Sequence, residues 1–398
     1  MIRRKTMKKR ILSAILALCM ITAAIIPSYA EKADALRFDE NGEFKILHLC
    51  DGQDNFPAKE KMITYINHML KVYKPDLVVL GGDNTVASEE TKEQAIEEYV
   101  KPFVENGVYF TLVFGNHDDE QGVDKDTLLE YYQKYGGKYC LAYEADPSLH
   151  GAAIHNLPVL SSDGSKIRFN LWMFDTNTYV LDDDGNRLGY DNVREDQIEW
   201  YKETAARLEA EAGEKIHSLA FQHMVPPEVY EAIYPEVSFS IKYVTETYND
   251  GKNYLVLTPN TSAFRGHIYE PASPGIYNHG HFSAMAENGD VIGVFSGHDH
   301  INDYVTEYEG IKIVNTPGVS YNAYGNEFTR GSRLITVRED NTSEFTSEVI
   351  TVNDAAFADA DFAEEIGTSR FAAGAWKFFE HWVLGIVKHM SGIAYFIY

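Results

Sequence analysis

Cysteine is scarce in this chain of 398 residues, which contains only three. Three thiols are too few for a cysteine-based metal site or a disulfide framework. Outside the first 30 residues only Cys50 and Cys140 remain. One disulfide between them is the alternative to a buried thiol at Cys50. We expect the buried thiol, because Cys50 ends an apolar, strand-like run.

Positive charge is also in short supply. The 35 lysines and arginines are outnumbered by 60 aspartates and glutamates, which gives a formal net charge of −25. This excess excludes nucleic-acid binding through the general surface, because a negative protein repels the phosphate backbone. An acidic protein can still bind a small phosphate compound where metal ions supply positive charge locally.

The first 30 residues have the pattern of a secretory signal peptide. A basic segment that ends at Arg10 precedes an apolar run, Ile11–Ile26, and Ser28-Tyr29-Ala30 then places small residues where a signal peptidase cuts. An uncleaved membrane anchor is the alternative, but the apolar run is short for a bilayer span. We therefore expect residues 1–30 to be removed from a protein that is secreted or held at the cell surface.

Apolar runs typical of strands alternate with helical patterns through most of the chain. The strand-like runs that matter below are Phe44–Cys50, Leu77–Leu80, Tyr109–Phe114, Ile167–Phe174, Ile216–Phe221 and Val291–Phe295. Helical periodicity lies between them, for example over Arg194–Ala212, and strands without long helices follow from Tyr304 onwards. This order predicts an α/β fold in which helices cover the outer faces of sheets.

Five of the predicted strands are followed by residue types that bind metal ions. The six ligand-type residues are Asp51, Asp83, Asn116, His223, His298 and His300. Carboxyl ends of neighbouring strands in α/β sheets meet at one crevice, so these side chains are expected to converge. A lone Gly-Asp-Asn is more typical of a turn, and a lone His-x-His is more typical of a solvated or core pair. Gly115-Asn116-His117-Asp118 is a stronger signal, and the ordered set of five is what predicts a metal site. Oxygen and imidazole ligands in this mixture suit Mn, Zn or Fe.

The chain resembles the calcineurin-like metallophosphoesterases, the superfamily of the purple acid phosphatases. The resemblance lies in five ordered motifs: Asp51-Gly52-Gln53, Gly82-Asp83-Asn84-Thr85, Gly115-Asn116-His117-Asp118, His223 and Gly297-His298-Asp299-His300. A later segment, Tyr321–Gly325, is similar to the single-domain enzymes of plants and fungi. The resemblance implies a sandwich of two mixed β-sheets flanked by helices, which we place at residues 37–352.

The resemblance also implies roles for these residues around two metal ions (Mn, Zn or Fe). Asp83 would bridge both ions, Asp51 and His300 would bind the first, and the remaining ligand-type residues, Asn116, His223 and His298, would bind the second. The metal centre would hydrolyse a small phosphate ester with a metal-bound hydroxide. His117 would act on the transition state or protonate the leaving group, with Asp118 orienting its imidazole.

One position departs from the family pattern and leaves alternatives open. Gln53 stands where the family usually has histidine, and an amide oxygen is a weaker ligand than imidazole. We therefore expect Gln53 to make a weak or outer contact with the first metal ion. A phosphodiesterase of the same fold is one alternative function. A cell-surface binding protein with a weakened metal site is another, although retention of His117 argues against it.

The sequence also predicts the structure of three other segments. His279 and His281 form a further His-x-His pair, which we expect to lie in a substrate-side loop or at the surface and not to bind metal. Residues 353–365, rich in Ala and Asp, are predicted to be a linker. Residues 366–398 are predicted to form an amphipathic, aromatic helix that contacts the catalytic body, another subunit or a membrane surface.

Overall fold

The structure is a computed structural model that describes residues 36–379. The predicted signal peptide and the last part of the predicted C-terminal helix lie outside the described residues. The strands are β1 (Glu43–Leu49), β2 (Leu77–Gly81), β3 (Tyr109–Val113), β4 (His155–Leu160), β5 (Ile167–Met173), β6 (Tyr179–Leu181), β7 (Arg187–Tyr190), β8 (Ser218–Phe221), β9 (Glu236–Val237), β10 (Thr245–Tyr248), β11 (Lys252–Leu255), β12 (Phe264–Arg265), β13 (Val291–Ser296), β14 (Val305–Tyr308), β15 (Ile311–Asn315), β16 (Gly331–Arg338) and β17 (Asn341–Thr351). The helices are α1 (Glu60–Tyr73), α2 (Lys92–Asn106), α3 (Lys125–Gly136), α4 (Glu195–Ala212), α5 (Val229–Ile233), α6 (His281–Asn288), α7 (Val352–Ala358), α8 (Ala360–Glu365) and α9 (Arg370–Phe379), with a 3-10 turn at Gly137–Tyr139.

Two mixed sheets form the body of the protein. The first has the order β17-β16-β1-β2-β3. In it β1, β2 and β3 are parallel, β16 is antiparallel to β1, and β17 is antiparallel to β16. The second has the order β12-β14-β15-β13-β8-β5-β4, in which β15, β13, β8 and β5 are parallel. Two smaller sheets pair β6 with β7 and join β9, β10 and β11. The predicted architecture of two mixed sheets is therefore confirmed.

Alternation along the strands explains how the sheets become a sandwich. In β1, Phe44 and Ile46 belong to the apolar cluster between the two sheets, whereas Leu47 and Leu49 belong to the cluster beneath the helices. Successive strand residues face opposite sides, so a strand that is apolar at nearly every position must be covered on both. A third cluster lies between the second sheet and helices such as α4, where Tyr201 is fully buried. The layers are thus helix, sheet, sheet and helix.

The prediction of a linker at residues 353–365 is wrong, because this segment forms α7 and α8. Alanine is the strongest helix former, and the aspartates of this segment cap helices. Asp354 completes a capping box with Thr351, and the Asp359 side chain accepts a hydrogen bond from the backbone of Phe362. Phe362 and Ala363 are buried in the core beneath the first sheet. The segment therefore belongs to the folded body.

The predicted C-terminal helix forms over Arg370–Phe379 and packs against the body. Ala373 is fully buried, and the ring of Phe328 contacts both Trp376, at a centroid distance of 5.4 Å, and Phe379, at 6.0 Å. Lys377 forms an ion pair with Asp354 of α7. No helix in the described range 36–379 is long and apolar enough to cross a membrane. Contact with the folded body is thus what this part of the tail makes.

The two described cysteines are both buried, and they are not joined by a disulfide. Cys50 lies with its sulfur 3.3 Å from Nε2 of His48, at the end of β1. The expected buried thiol at Cys50 is confirmed.

Candidate metal centre

The ligand-type residues follow the carboxyl ends of parallel strands from both sheets. Asp51, Asp83 and Asn116 come two or three residues after β1, β2 and β3, and His223 and His298 come two residues after β8 and β13. The chain after β15 joins the two sheet ends. Thr316 N donates to Ser296 O at 2.8 Å, and Val319 N donates to Cys50 O at 3.0 Å. One crevice therefore collects residues from five strands, as expected.

The backbone turns sharply where several of these residues leave their strands. Asp51, Asp83 and His298 have φ angles of 52°, 51° and 68°, and Gln53 has 35°. Residues other than glycine rarely adopt these left-handed angles, and each costs about 1–3 kcal/mol. Four such residues in one crevice show that the fold holds a strained arrangement of polar groups there.

Two groups of potential ligand atoms share Asp83. The ligand atoms of Asp83, His223 and His298 lie within 4.8 Å of one another, and so do those of Asp51, Asp83 and His300. All five side chains are buried. A carboxylate common to both groups occupies the position predicted for the one that bridges two ions. The division of histidines between the two groups also matches the predicted one.

Several buried polar atoms of the crevice lack a hydrogen-bond partner within the described chain. They are Oδ2 of Asp51, Oδ1 of Asn116 and Nε2 of His223. The last is still paired by charge, because it lies 3.2 Å from Oδ2 of Asp83. A buried polar atom without a partner costs about 1–3 kcal/mol, which a coordinated cation would offset. The nitrogen and oxygen donors therefore fit ions of the Mn, Zn or Fe type.

A family model described as calcineurin-like phosphoesterase matches residues 44–302. The matched range contains all six ligand-type residues. This chain belongs to the calcineurin-like phosphoesterase family. The resemblance seen in the five sequence motifs is thereby confirmed.

Two proteins of Arabidopsis thaliana are similar to this calcineurin-like phosphoesterase over most of their length. Probable inactive purple acid phosphatase 14 is 28% identical to it, over 81% of this chain and 82% of its own. Probable inactive purple acid phosphatase 29 is 27% identical, over 84% of this chain and 87% of its own. Among solved structures, a dimetal phosphatase from Danio rerio is 11% identical and has a TM-score of 0.44, covering 77% of this chain and 98% of its own. The names call both plant relatives inactive, so catalysis by this phosphoesterase is a question for experiment.

Hydrogen bonds to backbone carbonyl oxygens orient two histidines of the phosphoesterase crevice. Nδ1 of His223 lies 2.9 Å from Gly81 O, and Nδ1 of His300 lies 2.9 Å from Tyr324 O. A carbonyl oxygen only accepts hydrogen bonds, so each Nδ1 carries its proton and Nε2 is directed at the crevice. The Tyr324 ring also stacks on His300, with centroids 4.0 Å apart. Both imidazoles are therefore held in the orientation that a metal ligand needs.

Protonation equilibria in the crevice also suit cations. Burial lowers the pKa of His298 well below its usual value and that of His300 to about 4, which keeps both imidazoles neutral. Burial opposes protonation of His223, but the charge of Asp83 outweighs it and raises the pKa to about 9. Metal binding releases such protons, so affinity should fall as the pH falls.

The two carboxylates differ in charge within the protein. Burial opposes ionisation of Asp83, but the imidazole of His223 outweighs it and lowers the pKa of this carboxyl. Burial raises the pKa of Asp51 well above its usual value; the imidazole of His223 opposes this rise, and the charge of Asp83 adds to it. Two carboxylates this close ionise together only when positive charge is added, which is what bound cations supply.

Gln53, the departure from the family pattern, lies inside the crevice beside Asp83, the carboxylate that the two ligand groups share. Its Nε2 donates to Oδ2 of Asp83 at 2.8 Å, and its side chain is buried. Its backbone is also held, because Asn322 Nδ2 donates to Gln53 O at 2.9 Å. The amide is thus placed next to a potential ligand atom. Direct contact between Gln53 and a metal ion stays a prediction.

The expectation that Asp118 orients His117 is wrong. Asp118 is buried and accepts hydrogen bonds from the backbone N–H groups of Asp83 at 3.0 Å, Asn84 at 2.9 Å and Gly115 at 2.8 Å. The turn after β3 points this carboxylate back at the loop after β2, so it fastens the two loops together. Burial and the charge of Asp83 raise the pKa of Asp118 to about 6.

The partner of His117 is Glu120, which the sequence reasoning missed. His117 Nδ1 lies 2.5 Å from Glu120 Oε2, and His117 N donates to Asp83 Oδ1 at 2.7 Å. The His117 side chain is 37% exposed, whereas the ligand-type residues are buried. His117 therefore lies at the mouth of the crevice. An acid three residues after the histidine was the available signal, and it is a weak one.

The second His-x-His pair does not form a metal group within residues 36–379. His279 Nδ1 lies 3.0 Å from Glu195 Oε1, and His281 begins α6 with its ring against Phe174 at 4.4 Å. His281 is buried, which differs from the loop or surface position expected for it. The reason is local, because α6 starts at this residue and turns its first side chain into the core.

Proposed function

We propose that this chain is a metal-dependent hydrolase that cleaves phosphate esters. The observation that carries the proposal is the pair of ligand groups that share Asp83, next to an exposed imidazole at His117. When bound, two metal ions would hold the phosphate group and activate a water molecule for attack on it. Membership of the phosphoesterase family supports the reaction class.

The chain's own residues divide the remaining work. The His117 side chain lies beside Asp83 and is exposed to solvent. A substrate that enters from solvent would therefore contact it. Its Nδ1 faces the Glu120 carboxylate, which leaves Nε2 for the ester. From that atom the imidazole gives a proton to the leaving oxygen or stabilises charge on the phosphate. Asp118 keeps the loops that carry Asp83 and His117 at a constant separation.

Hydrolysis is tested with metal-stripped protein refilled with Mn, Zn, Fe or Mg. We expect at least one metal to support cleavage of p-nitrophenyl phosphate or bis-p-nitrophenyl phosphate, and the preferred ester separates monoesterase from diesterase. Asp83→Asn should abolish turnover and remove the second bound ion, because this carboxylate belongs to both ligand groups. Elemental analysis of the purified variant reports the bound metal.

Asp290→Asn is the matched control. Asp290 is also a buried carboxylate, but it precedes β13 at the end away from the crevice, where it accepts from Ser218 Oγ at 2.7 Å. This variant should lose stability and keep its metal ions. Wild-type protein that binds two ions and hydrolyses neither ester would refute the proposal and favour a binding protein of the same family.

We also propose that the protein is exported. The support is the order of basic, apolar and small residues up to Ala30. The mature protein from the native host should begin near Glu31 when its N-terminus is sequenced, and Ala30→Arg should block the cleavage. A mature chain that still begins at Met1 in the cytoplasm would contradict export.

A further inference from the structure

The β6–β7 hairpin, residues 179–190, has a bulge that reorients one side chain. Tyr179 pairs with Tyr190, Val180 with Gly189 and Leu181 with Arg187, so Leu188 is an extra residue without a partner in the ladder. In a regular strand Arg187 and Tyr190 would face opposite sides. The extra residue puts Arg187 on the side of the two tyrosines. Bulges of this kind re-aim side chains next to active sites.

The hairpin contacts the metal centre directly through both tyrosines. The Tyr190 ring meets His298 edge-on, with centroids 4.4 Å apart. The Tyr179 hydroxyl accepts a hydrogen bond from Asn116 Nδ2 at 3.1 Å. The two tyrosine rings stack on each other at 5.5 Å. One small element therefore contacts two of the three residues assigned to the second metal ion.

The hairpin also holds Glu120, the partner of His117. Arg187 Nη2 donates to Glu120 Oε1 at 2.9 Å, and the Tyr179 hydroxyl donates to the same oxygen at 3.1 Å. The guanidinium lies over the Tyr179 ring at 3.7 Å from its centroid, which fixes its plane. With Oε1 held by two donors, Oε2 is left in one position, and that position is 2.5 Å from Nδ1 of His117.

We propose that the bulged hairpin positions the His117 imidazole through Glu120, with Arg187 and Tyr179 as the positioning residues. The inference rests on the hydrolase function proposed above. Glu120 accepts a hydrogen bond from Nδ1, and the Nε2–H group of the imidazolium then faces the leaving oxygen of the ester. Transfer of the Nε2 proton to that oxygen leaves a neutral ring whose Nδ1–H still donates to Glu120. Esters of aliphatic alcohols depend on the Nε2 proton, because an alkoxide leaves poorly without it, whereas p-nitrophenolate leaves unaided. Hydrolysis of alkyl phosphates is therefore the activity that should depend on the hairpin.

Kinetics on two esters tests the positioning role. Arg187→Met and Glu120→Gln should lower kcat for glycerol phosphate at least about tenfold with KM unchanged, and kcat for p-nitrophenyl phosphate less than about threefold. Arg338→Met is the matched control, because Arg338 is similarly exposed and pairs with Glu43 at 2.8 Å, away from the crevice. It should change neither rate. Equal losses on the two esters would overturn the proposal.

A double-mutant cycle locates the effect at His117. In a His117→Ala background, Glu120→Gln should cost nothing further, because the group that it positions is gone. Losses that multiply in the double variant would mean that Glu120 acts by another route. Metal content, measured alongside, should stay at the wild-type level in every variant of this set.

A readout without turnover separates this proposal from the hydrolase function. Nitrogen NMR of the zinc-loaded protein reports the His117 tautomer, assigned by its loss in His117→Ala. Glu120→Gln and Arg187→Met should shift the ring away from the Nδ1–H form. If no ester is hydrolysed but the tautomer shifts, the hydrolase function fails and the positioning role stands. If turnover is normal and the tautomer does not respond, the positioning role is wrong.

Discussion

A single methyl group at Gly115 should disable the metal centre. A Cβ built at Gly115 would lie 2.2 Å from Oδ1 of Asp83 and 2.5 Å from its backbone nitrogen. Rotating the carboxylate cannot relieve the second contact. The Asp83 backbone is also tied to Asp118, which accepts its N–H at 3.0 Å. The φ of Gly115 is not in the positive range, so the substitution acts by contact and not by backbone strain.

The size of the effect follows from this overlap. Ordinary contacts between heavy atoms are about 3.5–4.0 Å, so the Asp83 carboxylate must move by roughly 1 Å or more. A displacement of about 1 Å at a catalytic group can cost roughly a hundredfold in rate. Overpacking at a buried position costs about 1–3 kcal/mol of unfolding free energy. Gly115→Ala should therefore lose one metal ion and about two orders of magnitude in kcat/KM.

The assay compares Gly115→Ala with Gly293→Ala. A Cβ at Gly293 would lie 2.7 Å from the Phe345 ring and 3.3 Å from Leu219, which is overlap inside the sandwich with no carboxylate involved. Urea unfolding should show a loss of stability in both variants, whereas elemental analysis and ester hydrolysis should show a loss only in Gly115→Ala. The reasoning is refuted if Gly115→Ala binds two ions with wild-type affinity and keeps its kcat/KM.

Four further outcomes test separate parts of the structure. His117→Ala should lower kcat for glycerol phosphate about a hundredfold or more with metal content unchanged, and loss of an ion would make His117 a ligand. Gln53→His should tighten the first metal site in a metal titration, and unchanged affinity would place residue 53 outside the coordination shell. Burial lowers the pKa of His281 to about 3, against about 6.5 in an unfolded chain, so the unfolded state binds more protons between these values and stability falls as the pH drops through this window. His281→Phe should remove about 2 kcal/mol of the stability difference between pH 7.5 and pH 5, measured by urea unfolding, and an unchanged difference would contradict the burial argument. Deleting residues 366–398 should lower the unfolding temperature, because Ala373 packs in the core, and leave ester hydrolysis intact; an inactive yet folded truncation would place the tail in the site.

The sequence contained enough information for the strands and for the residue types at their ends. Runs such as Leu77–Leu80 are apolar at every position because both faces of the strand are covered, so their location is visible without the fold. Asp83 follows this run after Gly81 and Gly82 and brings a charge to a place that burial would otherwise exclude. Local sequence therefore predicted where the ligand-type residues lie along the chain.

Contacts between segments that are distant in the chain could not be predicted from local sequence. Whether Asp118 or Glu120 meets His117 depends on the path of the turn after β3, and neighbouring acids look alike in sequence. Segment 353–365 shows a related limit, because its alanines and aspartates suit a helix as well as a solvated linker. Burial of Phe362 against the core selects the helix.

By itself the sequence determined the fold class, the family and the six ligand-type residues. Both the apolar periodicity of the strands and the residue types at their ends can be read within short stretches of the chain. Only the tertiary structure decided that Glu120 contacts His117 and that the β6–β7 hairpin reaches the crevice. Arg187 lies 67 residues after Glu120 in the chain, yet their side chains are 2.9 Å apart. Such pairings arise when separate elements pack together, and a bulge of one residue decides which side chain faces the site.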